Sequence, residues 1–185
     1  FKHDDTSLDG EILRREFCRA GRDVQKKVAP PALAAPTREP PSDIHLDISK
    51  KYFDSGTEYF LNGEYEIAIQ EFGKAIEIYP AYPHAYFYRG AAYGELGESQ
   101  LAIHDYDKAI PLSPNNASAY HNRGIGYGNL GEHLRAVQDF DKTIQLDPNN
   151  ASAYSNRGIA YHHIGFYPQA DADKAKACSL DKQYC

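Results

Sequence analysis

Residues 117–150 have the sequence ASAYHNRGIGYGNLGEHLRAVQDFDKTIQLDPNN, and residues 151–161 begin it again almost unchanged as ASAYSNRGIAY. The period is therefore 34 residues. Counting back by the same step gives copies at 83–116 and 49–82, so four copies cover residues 49–184. A fixed period of this length is typical of proteins built from stacked structural repeats.

Aromatic and small residues recur at fixed positions of each copy. Position 4 is Tyr in every copy, position 8 is Gly, position 11 is Tyr and position 20 is Ala. The spacing 4, 8, 11 marks one face of a helix, and so does the spacing 20, 24, 27. A Gly-containing turn such as Asn62-Gly63 separates the two helices, and Pro at position 32 ends the second helix in the first three copies. Each copy is predicted to be a helix–turn–helix hairpin.

These residues make residues 49–184 similar to the tetratricopeptide repeat (TPR) family. The resemblance implies an all-α, right-handed solenoid of four helix–turn–helix repeats. Stacked helix pairs of this kind form a curved array with an extended concave binding face. Lys174 replaces the aromatic residue that position 24 has in the other copies, which predicts that the last helix is a terminal cap.

Position 7 departs from the family pattern, which has an aliphatic residue there. Copies two to four have Arg at position 7 and Asp at position 23, whereas the first copy has Ser55 and Glu71. This covariation within the chain favours an ion pair between paired or stacked helices. A row of ligand-binding arginines is the alternative.

The part of the chain before the repeats divides into two segments. Residues 1–28 predict one amphipathic helix, with apolar residues at three- and four-residue steps from Leu8 to Val24. It could pack on the solenoid, pair with a second copy or lie on a lipid surface, and its nearly balanced charge makes the lipid surface the weakest option. Residues 29–42, APPALAAPTREPPS, predict a stiff extended linker, and residues 43–185 form the folded array.

The binding groove is expected on the first helix of each repeat, opposite the 4, 8, 11 stripe. In the family, positions 2, 5, 6, 9, 12 and 13 line this groove. The candidate ligand-binding residues are Lys50, Asp54, His84, Tyr88, Ala91, His121, Asn122, Ile125, Asn156, Ile159 and His162. Asn122 and Asn156 at position 6 resemble an asparagine ladder that holds a peptide backbone, because an amide both donates and accepts hydrogen bonds. The basic clamp of TPR co-chaperones is missing, since Phe53 and the acidic Asp54 occupy its place in the first repeat.

The sequence gives no support for catalysis, a cofactor or a metal. It has no phosphate-binding glycine loop and no HExxH motif, and the groove histidines, which include His163, are interpreted as solvated side chains rather than metal ligands. The net charge of −6 argues against a primary nucleic-acid role, which needs a basic stripe. No apolar run is long enough to span a membrane.

Cys178 and Cys185 lie on either side of the end of the last helix. A continued helix would hold them about 10 Å apart, too far for a disulfide, whereas a turn after Leu180 could bring them together. The pair is similar to one in some exported bacterial TPR proteins, which implies a bridge, and two unrelated thiols are the alternative. The missing initial Met, the Pro/Ala linker and this pair favour an exported protein, periplasmic or membrane-associated, and a cytoplasmic location stays open.

Two prolines predict local effects on helices. Pro111, in the last turn of the fourth helix, is expected to kink that helix or to end it near Ile110. Pro168 falls at the start of the eighth helix, where its missing N–H is harmless.

The sequence therefore predicts a non-enzymatic protein-interaction module or scaffold for complex assembly, which binds a peptide or protein segment along the concave face. The alternative is a structural subunit of a larger or self-associated assembly, a homo-oligomer docked through residues 1–28.

Overall fold

The computed structural model describes residues 43–185. Eight α-helices follow one another: α1 (Asp43–Leu61), α2 (Tyr65–Ile78), α3 (Pro83–Glu95), α4 (Ser99–Leu112), α5 (Ala117–Asn129), α6 (His133–Leu146), α7 (Ala151–His163) and α8 (Tyr167–Leu180). A 3₁₀ turn, Lys182–Tyr184, follows them. The described residues contain no strand, and the predicted all-α architecture of four helix–turn–helix repeats is confirmed. The predicted N-terminal helix and linker lie outside the described residues.

The turns inside and between repeats follow from residue chemistry. Gly63, Gly97, Gly131 and Gly165 end the first helix of each repeat with φ between 76° and 82°, a conformation that costs glycine little. Between repeats, the side chains of Asn116 and Asn150 accept hydrogen bonds from the N–H groups of Ala119 and Ala153, which caps α5 and α7. The Pro-Asn-Asn segments therefore stop one helix and start the next.

The two helices of each hairpin cross at the small residues of positions 8 and 20. A Cβ atom built on Gly124 would lie 2.8 Å from Cε1 of Phe140, and one built on Gly90 would lie 3.2 Å from the carbonyl oxygen of Ala102. The backbones can approach this closely only because neither position has a larger side chain.

Neighbouring repeats bury a second set of small residues, at positions 3 and 10 of the first helix. Ala85, Ala92, Ala119, Gly126, Ala153 and Ala160 are all buried there. Ile103, for example, packs against Gly126 of the following repeat, and Val137 clusters with Ala160. In α1 the same two positions are Lys51 and Glu58, and both are exposed.

Of the two effects expected of Pro111, a kink or an end of α4 near Ile110, the helix end is wrong, because the helix continues to Leu112 with Pro111 inside it. Proline at this position removes one N–H, but the N–H of Ser113 still bonds the carbonyl oxygens of Ala109 and Ile110. The expected position of Pro168 is confirmed, since it occupies the first turn of α8. At the end of the chain, Cys178 and Cys185 form a disulfide with their Cα atoms 4.7 Å apart, and the turn Lys182–Tyr184 lies between them.

Candidate functional site

The first helices α1, α3, α5 and α7 contact one another in succession, which places them along the inner side of the array. Successive repeats leave clefts between them on this side. We call the space between α3, α4 and α5 the first cleft, the space between α5, α6 and α7 the second cleft, and the space beside α7 and α8 the end cleft. Together these three clefts make up the groove.

The first cleft has a volume of about 150 Å³. Its residues include Ala91, Glu95, Ser99, Tyr106, Asn122 and Ile125. Burial raises the pKa of the Tyr106 hydroxyl, and a side-chain hydrogen bond from Asn122 partly offsets that rise. Asn122 and Tyr106 therefore lie next to each other at this cleft.

The second cleft is larger, about 280 Å³, and repeats the same positions one period later. Its residues include Ile125, Asn129, His133, Phe140, Asn156 and Ile159. Phe140 has no hydroxyl where Tyr106 has one, so Asn156 makes no equivalent bond. The half-buried Asn156 amide has no hydrogen-bond partner among the described residues, which leaves its donors and acceptor available.

The end cleft is the largest of the three, about 410 Å³, and differs in charge. Its residues include Ser155, Ile159, His162, Asp171, Lys174 and Tyr184. Positions 21 and 24, aliphatic and aromatic in the earlier repeats, are Asp171 and Lys174 here. The Cys178–Cys185 disulfide connects α8 to the turn that carries Tyr184 to this cleft.

Aromatic rings fill the corresponding space between the first and second repeats. Tyr88 occupies position 6, where the next two repeats have Asn. Its ring centroid lies 5.5 Å from Phe53, 5.8 Å from Phe60 and 5.9 Å from Phe72. The side chain of Tyr88 therefore packs into the space that is an open cleft in the later repeats.

The groove histidines were expected to be solvated, but their side chains differ in exposure. His84 and His162 are exposed, but His121 is half-buried, with its ring 5.6 Å from Phe140 and its Nε2 3.4 Å from Oγ of Ser152. Burial lowers the pKa of His121. The expectation is wrong for His121, because position 5 turns partly toward the next repeat.

His133 and His163 form a stacked pair beside the second cleft, with ring centroids 4.3 Å apart. The sequence placed His163 on the groove face but gave no role to His133. Its position, 17, begins the second helix of the repeat, so a pattern restricted to first helices could not include it. Among residues 43–185, no group of three or more His, Cys, Asp or Glu side chains is arranged to hold a metal.

Arginine at position 7 forms the predicted ion pairs with aspartate at position 23 of the same repeat. Nε of Arg89 lies 2.7 Å from Oδ2 of Asp105, and Arg123 and Arg157 repeat this arrangement with Asp139 and Asp173. The two later arginines also bind an aspartate of the preceding repeat, Asp107 or Asp141. All three guanidinium groups are thus engaged by carboxylates, which supports the structural interpretation of this row over a ligand-binding one.

The structure brings some of the candidate groove residues together and separates others. Ala91, Asn122 and Ile125 meet in the first cleft, and Ile125, Asn156 and Ile159 in the second. His84 packs against the rings around Tyr88, and His162 borders the end cleft. Lys50 and Asp54 are exposed on α1, beyond the Tyr88 cluster, and Lys50 pairs with Asp47 at 3.7 Å.

Family models for the TPR repeat match residues 56–97 and 129–165, and a tetratricopeptide repeat model matches residues 83–116. The chain belongs to the tetratricopeptide repeat family. No curated protein matches the sequence. None of the TPR helices in the described part of the chain is both long and apolar enough to cross a membrane.

Solved TPR structures share the fold. A crystal structure of MamA protein is 29% identical over 73% of this chain and 74% of its own, with a TM-score of 0.69. A second MamA crystal structure is 25% identical over 99% of this chain and 98% of its own, with a TM-score of 0.70. The first TPR of Spaghetti (RPAP3), bound to the HSP90 peptide SRMEEVD, is 25% identical over 64% of this chain and 94% of its own, with a TM-score of 0.63.

Proposed function

We propose that this TPR protein is a non-enzymatic interaction module that holds a segment of a partner protein in the groove. The observation that carries this proposal is the pair of open clefts, each bordered by an asparagine amide at the same repeat position. The bound TPR structure of RPAP3 supports it, because that relative holds a peptide.

The amides suit a segment in an extended conformation. An extended backbone presents N–H and C=O groups along its length, and an Asn side chain can donate to one and accept from the other. The unpaired amide of Asn156 gains a partner when such a segment binds. Side-chain contacts in the clefts then add affinity, as in other modes of peptide recognition that combine backbone bonds with side-chain pockets.

The test uses residues 1–185 as bait in a lysate of the source organism, followed by quantitative mass spectrometry. An Asn122→Ala/Asn156→Ala variant removes both groove amides. The matched control is Asn115→Ala/Asn149→Ala, which removes two exposed asparagines from the turns between repeats. Circular dichroism establishes that both variants are folded.

We expect a partner that the control retains and that the groove variant loses by at least tenfold. Equal recovery by both variants would overturn the proposal and move the contact away from the groove. Recovery of this chain alone would also overturn it, in favour of self-association.

A further inference from the structure

The series of clefts along the groove changes in both size and charge. Tyr88 and its neighbouring rings fill the first position, and the next two are open with about 150 Å³ and 280 Å³. These volumes are below the roughly 300–1,000 Å³ typical of small-molecule sites. Each cleft is thus of a size for one side chain rather than for a cofactor.

The first and second clefts are almost free of formal charge. Among residues 43–185, Glu95 is the one formally charged residue that borders the first cleft, and no Lys, Arg, Asp or Glu borders the second. Apart from the histidines His133 and His163, the second cleft offers a charged side chain no ionic partner among the described residues, so its entry would cost water without a matching ion pair. Such burial is costly, so the cleft discriminates against charged residues.

Apolar surface in the clefts offers the complementary attraction. Ile125 borders both clefts and is 38% exposed, and Ile159 borders the second and is 55% exposed. An aliphatic side chain from a ligand would cover this surface and remove it from water. The neighbouring amides of Asn122 and Asn156 remain for the ligand backbone.

We propose that the first and second clefts select an extended, uncharged peptide segment that places one aliphatic side chain in each cleft. This inference rests on the proposed function and names the ligand class for the same groove. The site ends at Tyr88, because the aromatic cluster occupies the next position along the array. Lys50 and Asp54 lie beyond that cluster and outside the site.

The test begins with a library of random 12-residue peptides, selected on the full chain. We expect the enriched peptides to share two aliphatic residues with no Asp, Glu, Lys or Arg between them. A synthetic peptide of that consensus is then titrated by fluorescence anisotropy. Replacing either aliphatic residue with Glu should weaken its binding at least tenfold, and SRMEEVD, which has three acidic residues, should bind at least tenfold more weakly than the consensus.

A positive charge introduced at Ile125 should change which peptide binds, and a folding defect cannot produce that change in specificity. Ile125→Lys should weaken the consensus peptide at least tenfold and should restore binding of a peptide in which Glu replaces one aliphatic residue. Ile125→Val is the matched control and should keep the affinity within about threefold, since it preserves an apolar side chain. Asp54→Asn, beyond Tyr88, should change the affinity less than twofold.

Enrichment of charged peptides, equal binding of SRMEEVD, or no enrichment at all would overturn the inference. Enrichment of charged peptides or equal binding of SRMEEVD would leave the proposed function standing if binding still depends on Asn122 and Asn156. A peptide whose binding is unaffected by Asn122→Ala/Asn156→Ala would count against both the ligand class and the groove itself.

Discussion

Arg123 and Asp139 form a two-point ion pair between α5 and α6, with Nε 2.8 Å from Oδ2 and Nη2 2.7 Å from Oδ1. The third contact of Arg123 is to Asp107 of the preceding repeat, at 2.6 Å from Nη1. The two carboxylates differ in environment, since the side chain of Asp139 is 8% exposed and that of Asp107 is 48% exposed. The same guanidinium group thus makes one buried and one solvated pair.

Removing the two charges separately should therefore have unequal effects on stability. We expect Asp139→Asn to lower the free energy of unfolding by about 3 kcal/mol, because it leaves a largely buried arginine without its main partner. Asp107→Asn should cost less than about 1 kcal/mol, as is usual for exposed pairs. Urea unfolding followed by circular dichroism measures both, and equal losses would contradict the distinction.

The first repeat lacks the aspartate that links the second repeat to the third and the third repeat to the fourth. Its position 25 is Gly73, where later repeats have Asp107 and Asp141, and a Cβ there would lie 3.7 Å from Nη1 of Arg89. We expect Gly73→Asp to stabilise the protein, because it removes a helical glycine and adds a carboxylate near Arg89.

Gly73→Ala is the matched control, since it removes the glycine without adding charge and should gain about 0.5–1 kcal/mol. The electrostatic contribution to stability is the difference in the free energy of unfolding between the Gly73→Asp and Gly73→Ala variants. It should shrink between 0.05 M and 1 M NaCl, where the screening length falls to about 3 Å. A difference that does not respond to salt in thermal melts would rule out an ion pair with Arg89.

His121 should make stability depend on pH. Burial lowers the pKa of His121 in the folded protein from its ordinary value of 6.5, so below pH 6.5 the unfolded chain binds more protons than the folded one. The free energy of unfolding should fall as the pH drops through this range, by up to about 1.4 kcal/mol per pH unit from this group.

Urea titrations at pH 7.5, 6.5 and 5.5 can isolate this contribution. His121→Gln should weaken the pH dependence, because it removes the half-buried ring whose pKa is lowered. Parallel pH profiles for the wild type and the His121 variant would show that burial of this ring has no effect on its titration.

Gly124 should tolerate no larger residue. A Cβ at this position would lie 2.8 Å from the ring of Phe140, a side chain that is 2% exposed. We expect Gly124→Ala to cost about 1–3 kcal/mol through overpacking. Gly128→Ala, one turn later with no atom within 4 Å of the added Cβ, should be neutral or stabilising. A stable Gly124 variant would mean that the hairpin can open without penalty.

The repeat period was sufficient to predict the helices, because four copies show the same spacing of Tyr, Gly and Ala. The pairing of Arg89 with Asp105 could also be predicted, since both residues change together within the chain. The link from Arg123 to Asp107 was missed, because it joins neighbouring repeats and its acid occurs in only two copies. A helix end near Ile110, one of the two effects expected of Pro111, did not occur, and the N–H of Ser113 bonds the carbonyl oxygens of Ala109 and Ile110 at the end of the helix.

The candidate groove residues were predicted as a stripe on the first helices, but the clefts also involve the second helices. His133 and Tyr106 border clefts from positions 17 and 24. Tyr88 was assigned to the groove by its position, yet its ring packs among aromatic neighbours. Which stripe residues meet in one cleft depends on how adjacent repeats stack, and a one-dimensional pattern does not contain that geometry.

Lys51 and Glu58 have a consequence for polymerisation. They occupy repeat positions 3 and 10 on α1, at which α3, α5 and α7 bury Ala or Gly against the preceding repeat. At the other end of the array, Asp171 and Lys174 of α8 are exposed. Joining the first repeat of one copy to the last repeat of another would desolvate charges on both surfaces without the small-residue fit. An end-to-end contact between two copies would therefore lack the small residues that join successive repeats within the described array.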